Sequence, residues 1–262
     1  MSLTLGTGPL AGSRTTAALN FSLADAPPHR IAFQPDPRRL RAVVGDTVVL
    51  DTVRAHLLHE TAILPRIYAP LEDYRSDVLT ATDTSTHCPF KGDANYWTVR
   101  ADGKEVVDGL WGYAEPTDAA PFLLGFAALY EDKIDAWFVE EDRVVGHLRD
   151  PYHRVDAHPS TRPVVVRVAG EEVARSARPV LVFETGLPVR AYVPPADVRA
   201  GAVAAGSGRR TVCPYKGEAT YWTIAGVEDA AWSYELPLPD AIRAQGHLAF
   251  DDARDDVEVE LG

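Results

Sequence analysis

The chain has 262 residues, of which 46% are apolar and 24% are charged, a mixture typical of folded globular proteins and not of disordered ones. Its formal net charge of -12 would repel a phosphate backbone, so we expect no nucleic acid partner. No run of sequence approaches the roughly 20 apolar residues that cross a bilayer, and no membrane partner is expected either.

Residues 1–37 have no match elsewhere in the chain and are interpreted as an N-terminal extension. This segment lacks the basic start and the apolar block that mark an export signal. The two cysteines of the chain, Cys88 and Cys213, lie in different halves of the sequence and are expected to be reduced thiols. We therefore expect a cytoplasmic protein.

Short runs of β-branched and aromatic residues dominate the rest of the chain. The stretches "RAVVGDTVVLD" (41–51) and "RPVVVRVAGEEVARS" (162–176) each hold two such runs around a glycine turn, which predicts hairpins. Helical candidates are brief, such as "PADVRAGAV" (195–203) and "DAIRAQG" (240–246). The predicted class is mostly β: two tandem homologous compact β-rich domains, barrel-like or sandwich-like, with short connecting helices.

An internal duplication organises the sequence. The stretch "THCPFKGDANYWTV" (86–99) recurs as "TVCPYKGEATYWTI" (211–224), with nine identities in fourteen positions, and the similarity continues on both sides. A period of about 125 residues is too long for a solenoid, so it indicates two duplicated domains. The predicted boundaries are the extension at 1–37, a first domain at 38–145, a linker at 146–162 and a second domain at 163–262.

The repeated string places a thiol and an amine at a constrained corner. Pro214 fixes one backbone angle and Gly217 permits a positive φ, so Lys216 between them is predicted to sit on a tight turn. Its ammonium would bind an anion or lie over an aromatic ring. Cys213 would be a nucleophile activated by this cation or a small buried apolar residue. No metal site is expected, because neither cysteine has a Cys-x-x-Cys partner.

A second candidate constellation lies upstream of this string. Glu184 and Arg190 would either pair with each other across a turn, or Arg190 would bind an anionic group while Glu184 acts as a general acid or base. Four aromatic residues would line the same pocket or belong to the core: Tyr192, Tyr221, Trp232 and Tyr234. The first repeat carries an equivalent set: Glu60, Arg66, Tyr68, Cys88, Lys91 and Tyr96.

The predicted linker is rich in histidine and charge. His147, His153, Arg154 and His158 lie there among acidic residues. Such a set is typical of salt bridges between docked domains, and a pH-sensitive contact is the alternative.

Four stretches together carry a family resemblance: "HLRDPYHRVD", "ETGLPVRAYVPPADV", "TVCPYKGEATYW" and "AWSYELPLPDA". They resemble the bacterial and fungal domain of unknown function numbered 427, also described as nucleotidyltransferase-like, and the tandem arrangement is similar to the two-domain actinobacterial version. The resemblance covers roughly residues 38–262 and implies a compact β-rich fold without an established activity. Nucleotidyl transfer is not expected, because the sequence lacks a phosphate-binding glycine loop with paired aspartates for Mg²⁺.

These residues lead to two hypotheses about function. The first is a small-molecule enzyme that acts on a compact polar or anionic metabolite without a cofactor, with Glu184, Cys213 and Lys216 as catalytic residues. The second is a non-catalytic metabolite-binding or scaffold protein in which the same residues support the fold. Both repeats keep the set, which suits a structural motif or a paired binding site as well as catalysis.

Overall fold

A computed structural model of the chain describes residues 3–12, 20, 22 and 26–262, so parts of the predicted extension lie outside the described residues. The chain forms two compact units, Met1–Asp150 and Pro151–Gly262. Both are built almost entirely of antiparallel strands, as the β-branched and aromatic runs of the sequence predict.

The first unit contains a seven-stranded and a four-stranded sheet. The larger sheet has the order β1-β4-β5-β9-β8-β7-β6 and the smaller one the order β11-β10-β2-β3. The strands are β1 (Ile31–Pro35), β2 (Leu40–Val44), β3 (Thr47–Thr52), β4 (His56–Glu60), β5 (Ile63–Pro70), β6 (Leu79–Cys88), β7 (Gly92–Ala101), β8 (Lys104–Gly112), β9 (Phe126–Leu129), β10 (Ala136–Val139) and β11 (Asp142–Arg143).

The second unit repeats this topology. Its seven-stranded sheet has the order β12-β15-β16-β20-β19-β18-β17, and its three-stranded sheet has the order β14-β13-β21. The strands are β12 (Val155–Pro159), β13 (Val164–Val168), β14 (Glu171–Ser176), β15 (Val180–Glu184), β16 (Arg190–Val193), β17 (Val203–Cys213), β18 (Gly217–Ile224), β19 (Val227–Tyr234), β20 (Leu248–Phe250) and β21 (Val257–Leu261).

The structure divides the chain differently from the boundaries drawn on the sequence. The strand β1 lies within the segment 1–37 and pairs with β4, while β12 lies within the segment 146–162 and pairs with β15 in the same way. Each unit therefore begins with an edge strand of its large sheet, and the repeated element is longer at its start than the sequence comparison indicated.

In each unit the two sheets pack face to face around an apolar core. In the first unit this core combines residues of the small sheet, such as Leu40 and Leu50, with residues of the large sheet, such as Ile67 and Leu110. In the second unit Val166 and Phe250 belong to the corresponding core. The mostly β class with two tandem domains is thus confirmed, and the described sheets form sandwiches that do not close into barrels.

The connecting helices are short, and the candidate at 240–246 corresponds to the helix Pro239–Ala244. They are single stretches of 3-10 helix at Leu71–Asp73, Ser76–Val78, Pro121–Leu123, Glu131–Lys133, Pro195–Asp197 and Pro239–Ala244. The candidate helix at 195–203 is limited to Pro195–Asp197, because the backbone is already extended at Val198 (φ -96°, ψ 138°) and the chain enters β17 at Val203. Within the described residues, no helix is long and apolar enough to span a membrane.

Candidate functional site

A tight hairpin turn presents the lysine of each repeated string. Cys88 ends β6 and Gly92 begins β7, and the backbone N of Lys91 donates to the carbonyl of Cys88 at 3.2 Å. Gly92 has a φ of 101°, and a Cβ placed there would lie 2.9 Å from the carbonyl oxygen of Glu115. Gly217 has a φ of 103° at the equivalent turn. The proline-to-glycine corner therefore holds each lysine in a fixed place.

In the first unit this lysine joins a buried ionic triad. The Nζ of Lys91 lies 2.6 Å from Oε2 of Glu60, and Nε2 of His29 lies 2.8 Å from Oε1 of the same carboxylate. The side chains of Glu60 and Lys91 are only 6% and 12% exposed. The ring of His29 stacks on Phe90 with the ring centroids 3.9 Å apart, so the imidazole is held from two sides.

The second unit contains the same triad at the matching positions. Nε2 of His153 lies 3.0 Å from Oε1 of Glu184, and the ammonium of Lys216 donates a short hydrogen bond to Oε2. The ring of His153 packs on Tyr215, the residue before the lysine, at a centroid distance of 4.2 Å. In both units one carboxylate therefore joins the segment before the edge strand, the end of the adjacent strand and a hairpin turn.

The carboxylate of this triad is held in its charged form. Burial of Glu184 opposes ionisation, but the hydrogen bond from His153 and the charge of Lys216 outweigh it and lower the pKa of the carboxyl to about 2. A carboxylate with so low a pKa binds protons weakly at neutral pH. Its chemical role is to hold the ammonium and to orient the imidazole.

The thiols lie beside these triads in a cluster of aromatic rings that is distinct from the inter-sheet core. In the first unit Cys88 packs with Tyr68, Tyr96, Trp111 and Tyr113. In the second unit the cluster around Cys213 has the same composition, with Tyr192, Tyr221, Trp232 and Tyr234. Both thiols are free and partly exposed. The predicted aromatic residues thus surround the predicted cysteine in each unit.

Hydrogen bonds fix the phenols of this cluster. The indole nitrogen of Trp232 donates to the hydroxyl of Tyr192 at 3.3 Å, and Tyr221 bonds to Thr211 at 3.0 Å. Burial raises the pKa of Tyr192 and of Tyr234, so both phenols stay neutral at physiological pH. The equivalent bonds in the first unit join Trp111 to Tyr68 at 3.1 Å and Tyr96 to Thr86 at 2.7 Å. Tyr192 and Tyr234 can therefore donate or accept hydrogen bonds but do not supply a phenolate.

The carboxylate and the cysteine of each unit act electrostatically on the same tyrosine side chains. In the second unit the charge of Glu184 and the thiol of Cys213 both act on Tyr192 and on Tyr234, raising the pKa of each phenol beyond the effect of burial. In the first unit Glu60 and Cys88 act on Tyr113 in the same way. Glu184 and Cys213 therefore lie close to the same pair of phenols.

The arginine predicted for this site has other partners. Arg190 pairs with Asp252 at 2.6 Å, donates to the carbonyl of Phe250 and lies 5.1 Å from the ring centroid of Trp232. The pairing of Glu184 with Arg190 across a turn is not what the structure has, because His153 and Lys216 occupy that carboxylate. In the first unit Arg66 lies near Tyr130 and Glu131 and favours the ionised form of both.

The histidines of the triads are residues that the sequence interpretation did not place in the candidate site. His153 was assigned to a linker and His29 to an extension without a counterpart. The signal was present, because the pair "HR" at 29–30 recurs at 153–154, and Glu60 recurs at Glu184 with the same offset. The other predicted linker groups lie elsewhere: Arg154 pairs with Asp156 at 2.9 Å, and His147 bonds to the carbonyl of Leu148.

Two tandem β-sandwiches, each with a His–Glu–Lys triad beside a free thiol, define the chain as a duplicated β-sandwich protein. The family model described as "Domain of unknown function (DUF427)" matches residues 32–140 and again residues 156–261, so the chain belongs to this family. The two matched segments begin at β1 and at β12, in agreement with the strand order. No curated protein matches the chain. Among the described residues, no group of three or more His, Cys, Asp or Glu is arranged to hold a metal ion.

Proposed function

We propose that the protein is a small-molecule enzyme that acts on a compact polar metabolite by acid/base or thiol chemistry. The observation that supports this most strongly is the repetition of one arrangement: a buried carboxylate that holds a lysine and a ring-stacked histidine next to a partly exposed cysteine. These groups lie outside the apolar core that joins the two sheets of each unit. Ionic groups cost free energy to bury, and an apolar cluster would stabilise the same place without them.

Within this proposal the histidine transfers the proton. The low pKa of Glu184 makes that carboxylate a poor base, whereas a carboxylate bonded to one nitrogen of an imidazole fixes its orientation and its tautomer. His153 would accept the proton of the thiol or of the substrate, and Lys216 would polarise a substrate oxygen. Cys213 would be the nucleophile.

The charge balance of the site favours a neutral ligand over an anion. Lys216 is paired with Glu184, and Arg190 is paired with Asp252. Each of these two cations is thus compensated by one carboxylate. We therefore narrow the expected substrate to a polar molecule without a full negative charge.

A scaffold or non-catalytic binding role is the second candidate, because each member of the triad already has a partner within the protein. In the first unit the carboxylate of Glu60 is bonded to both Lys91 and His29, and these contacts link three separate segments. In that case the triad would stabilise each unit, and the thiol would be an apolar neighbour.

Hydrolysis of 4-nitrophenyl acetate separates the two candidates. In the proposed reaction the Sγ of Cys213 attacks the acetyl carbonyl, 4-nitrophenolate leaves, and water then hydrolyses the thioester. We expect release of 4-nitrophenolate above the rate of free cysteine and imidazole, with a loss of at least about tenfold in Cys213→Ser and in His153→Gln. Cys88→Ser and His29→Gln are the matched variants of the first unit.

Thermal melting of every variant shows whether it is folded. Folded second-unit variants with reduced ester cleavage support the enzyme. Cleavage at the background rate in the native protein, or cleavage that no variant changes, contradicts it. Destabilised variants in a protein without activity support the scaffold.

A further inference from the structure

A cavity of about 400 Å³ opens in the second unit, away from the triad. Its walls include Val198, Val203, Trp222 and Leu248. Trp222 follows Tyr221 on β18 and points to the opposite face of the sheet, since successive side chains of a strand alternate. The cavity therefore lies on the other face from the thiol and the buried tyrosines, and the proposed active site does not account for it.

In the first unit a tyrosine fills the equivalent position. An isolated bridge joins Leu50 to Tyr74, and the equivalent bridge joins Ala174 to Val198, so Val198 stands where the first unit has Tyr74. Tyr74 is 4% exposed, and its hydroxyl donates to the carbonyl of Ala127 at 2.8 Å. The second unit therefore lacks a phenol ring at this point of the fold, and the larger Leu248 at the place of Ala127 does not close the space.

A polar relay lies at the wall of this cavity and, within the described residues, has no counterpart at the matching positions of the first unit. The indole nitrogen of Trp222 donates to the hydroxyl of Ser233 at 2.7 Å, and this hydroxyl donates to Oε1 of Glu235 at 2.6 Å. Gly112 takes the place of Ser233 in the first unit, where a Cβ would lie 2.9 Å from the carbonyl oxygen of Phe126. The same relay cannot form in the first unit without a shift of backbone.

The relay ends on an acceptor that is open to a ligand. Ser233 is 1% exposed and uses its only proton on Glu235, whereas Glu235 is itself exposed at the rim. Within the described part of the chain, no hydrogen bond reaches Oε2 of this carboxylate. Arg199, also at the rim, is paired with Glu171 at 2.9 Å. The site thus offers an apolar slot beside an indole, with one anionic acceptor at its mouth.

We propose that this cavity binds a small molecule with a single aromatic ring that carries a hydroxyl or amine donor. The ring would take the apolar slot that Tyr74 fills in the first unit, and its donor would bond to Glu235. The volume lies in the lower part of the range for ligand pockets and has room for one ring. This binding is independent of the triad and of the proposed activity.

Titration of the full-length protein with 4-methylphenol, followed by NMR of the tryptophan indole signals, tests the proposal. We expect a saturable shift of the Trp222 signal with a Kd of about 1 mM. Toluene, which has the same ring without the donor, is expected to bind several-fold more weakly. Trp222→Phe identifies the signal.

Two variants copy residues of the first unit into the second. Val198→Tyr fills the slot, so it is expected to abolish binding and to raise the melting temperature. Glu235→Ala, which reproduces Ala114 at an exposed position, is expected to reduce the affinity for 4-methylphenol to that for toluene.

Three results would overturn the proposal. The first is an unchanged Trp222 signal at about 10 mM 4-methylphenol, a concentration well above the expected Kd. The second is binding that survives in a folded Val198→Tyr protein. The third is a Glu235→Ala protein that still prefers 4-methylphenol to toluene. That result would show that Glu235 is not the acceptor, and it can be obtained even where Val198→Tyr fails to fold.

Discussion

The two units agree at the triad and differ on the opposite face of the large sheet. His29, Glu60 and Lys91 form the same contacts as their counterparts in the second unit, down to the ring that stacks on the histidine. On the other face, Tyr74 fills a place that a cavity occupies in the second unit. The triad is therefore common to both units, whereas the opposite face differs between them.

Removing one carboxylate at a time tests most strongly whether the two triads are equivalent. Glu60→Ala and Glu184→Ala each leave a buried ammonium and a buried imidazole without their anion, so each is expected to destabilise its own unit by about 3–5 kcal/mol. Hydrogen exchange of strand amides measures each unit separately. As a control, removal of Glu172, which pairs with Arg175 at the surface, is expected to leave the stability almost unchanged.

A loss confined to one of the two variants would show that the triads are not equivalent. Equal losses in both would support a common role.

Acid should weaken the second unit through the same carboxylate. The pKa of Glu184 is about 2 in the folded protein, below its ordinary value of 4.5. The stability it contributes is therefore complete above pH 4.5 and is lost as the pH falls towards 2. After allowance for partial exposure we expect a loss of about 2 kcal/mol across this window. Denaturant unfolding of the native protein and of Glu184→Gln measures it, and equal pH slopes for the two proteins would contradict the assignment.

Replacement of Gly92 and of Gly217 by alanine should destabilise the protein to different degrees. Both glycines have a φ above 100°, but a Cβ at Gly92 would lie 2.9 Å from a backbone oxygen, against 3.2 Å at Gly217. We expect a loss of about 1–2 kcal/mol for each alanine variant, with the larger loss for Gly92→Ala. Chemical denaturation ranks them, and the reverse order would show that the first turn relaxes more easily than the second.

The smallest expected effect concerns two acidic residues: Glu131, which lies near Arg66, and Asp252, which pairs with Arg190. Burial raises the pKa of Glu131, so its ionised form disfavours the folded first unit at neutral pH, and Glu131→Gln is expected to stabilise that unit by up to about 1 kcal/mol. Asp252 holds the equivalent position but pairs with Arg190 at 2.6 Å, so Asp252→Asn should destabilise the second unit slightly. Melting temperatures that move in the same direction for both variants would contradict this difference.

Much of the fold follows from local sequence. The hairpins at 41–51 and 162–176 are set by β-branched runs around a glycine, and the repeated corner is set by proline and glycine, so short stretches suffice to predict them. The helix expected over 195–203 is a single turn, because the backbone is extended at Val198, which forms a bridge with Ala174 of the neighbouring sheet. Duplication then extends each local prediction to both units.

The site could be predicted only in part. The cysteines, the lysines and the surrounding tyrosines belong to the repeated string, so the sequence brings them together directly. The partners of Glu60 and of Arg190 depend on strand order, which places His29 beside an acid 31 residues away and Asp252 beside an arginine 62 residues away. Side-chain pairs set by sheet topology leave little trace in a single sequence unless a repeat reveals them, as the recurring "HR" pair does here.

The rate of alkylation of the two thiols by iodoacetamide tests most directly whether the triad acts on the cysteine beside it. In Glu184→Gln the ammonium of Lys216 loses its counter-charge and stabilises the thiolate of Cys213. We expect Cys213 to react about tenfold faster than in the native protein, while Cys88 of the same molecules, measured by mass spectrometry, is unchanged. Equal rates for Cys213 in both folded proteins would contradict a functional coupling between the triad and the thiol.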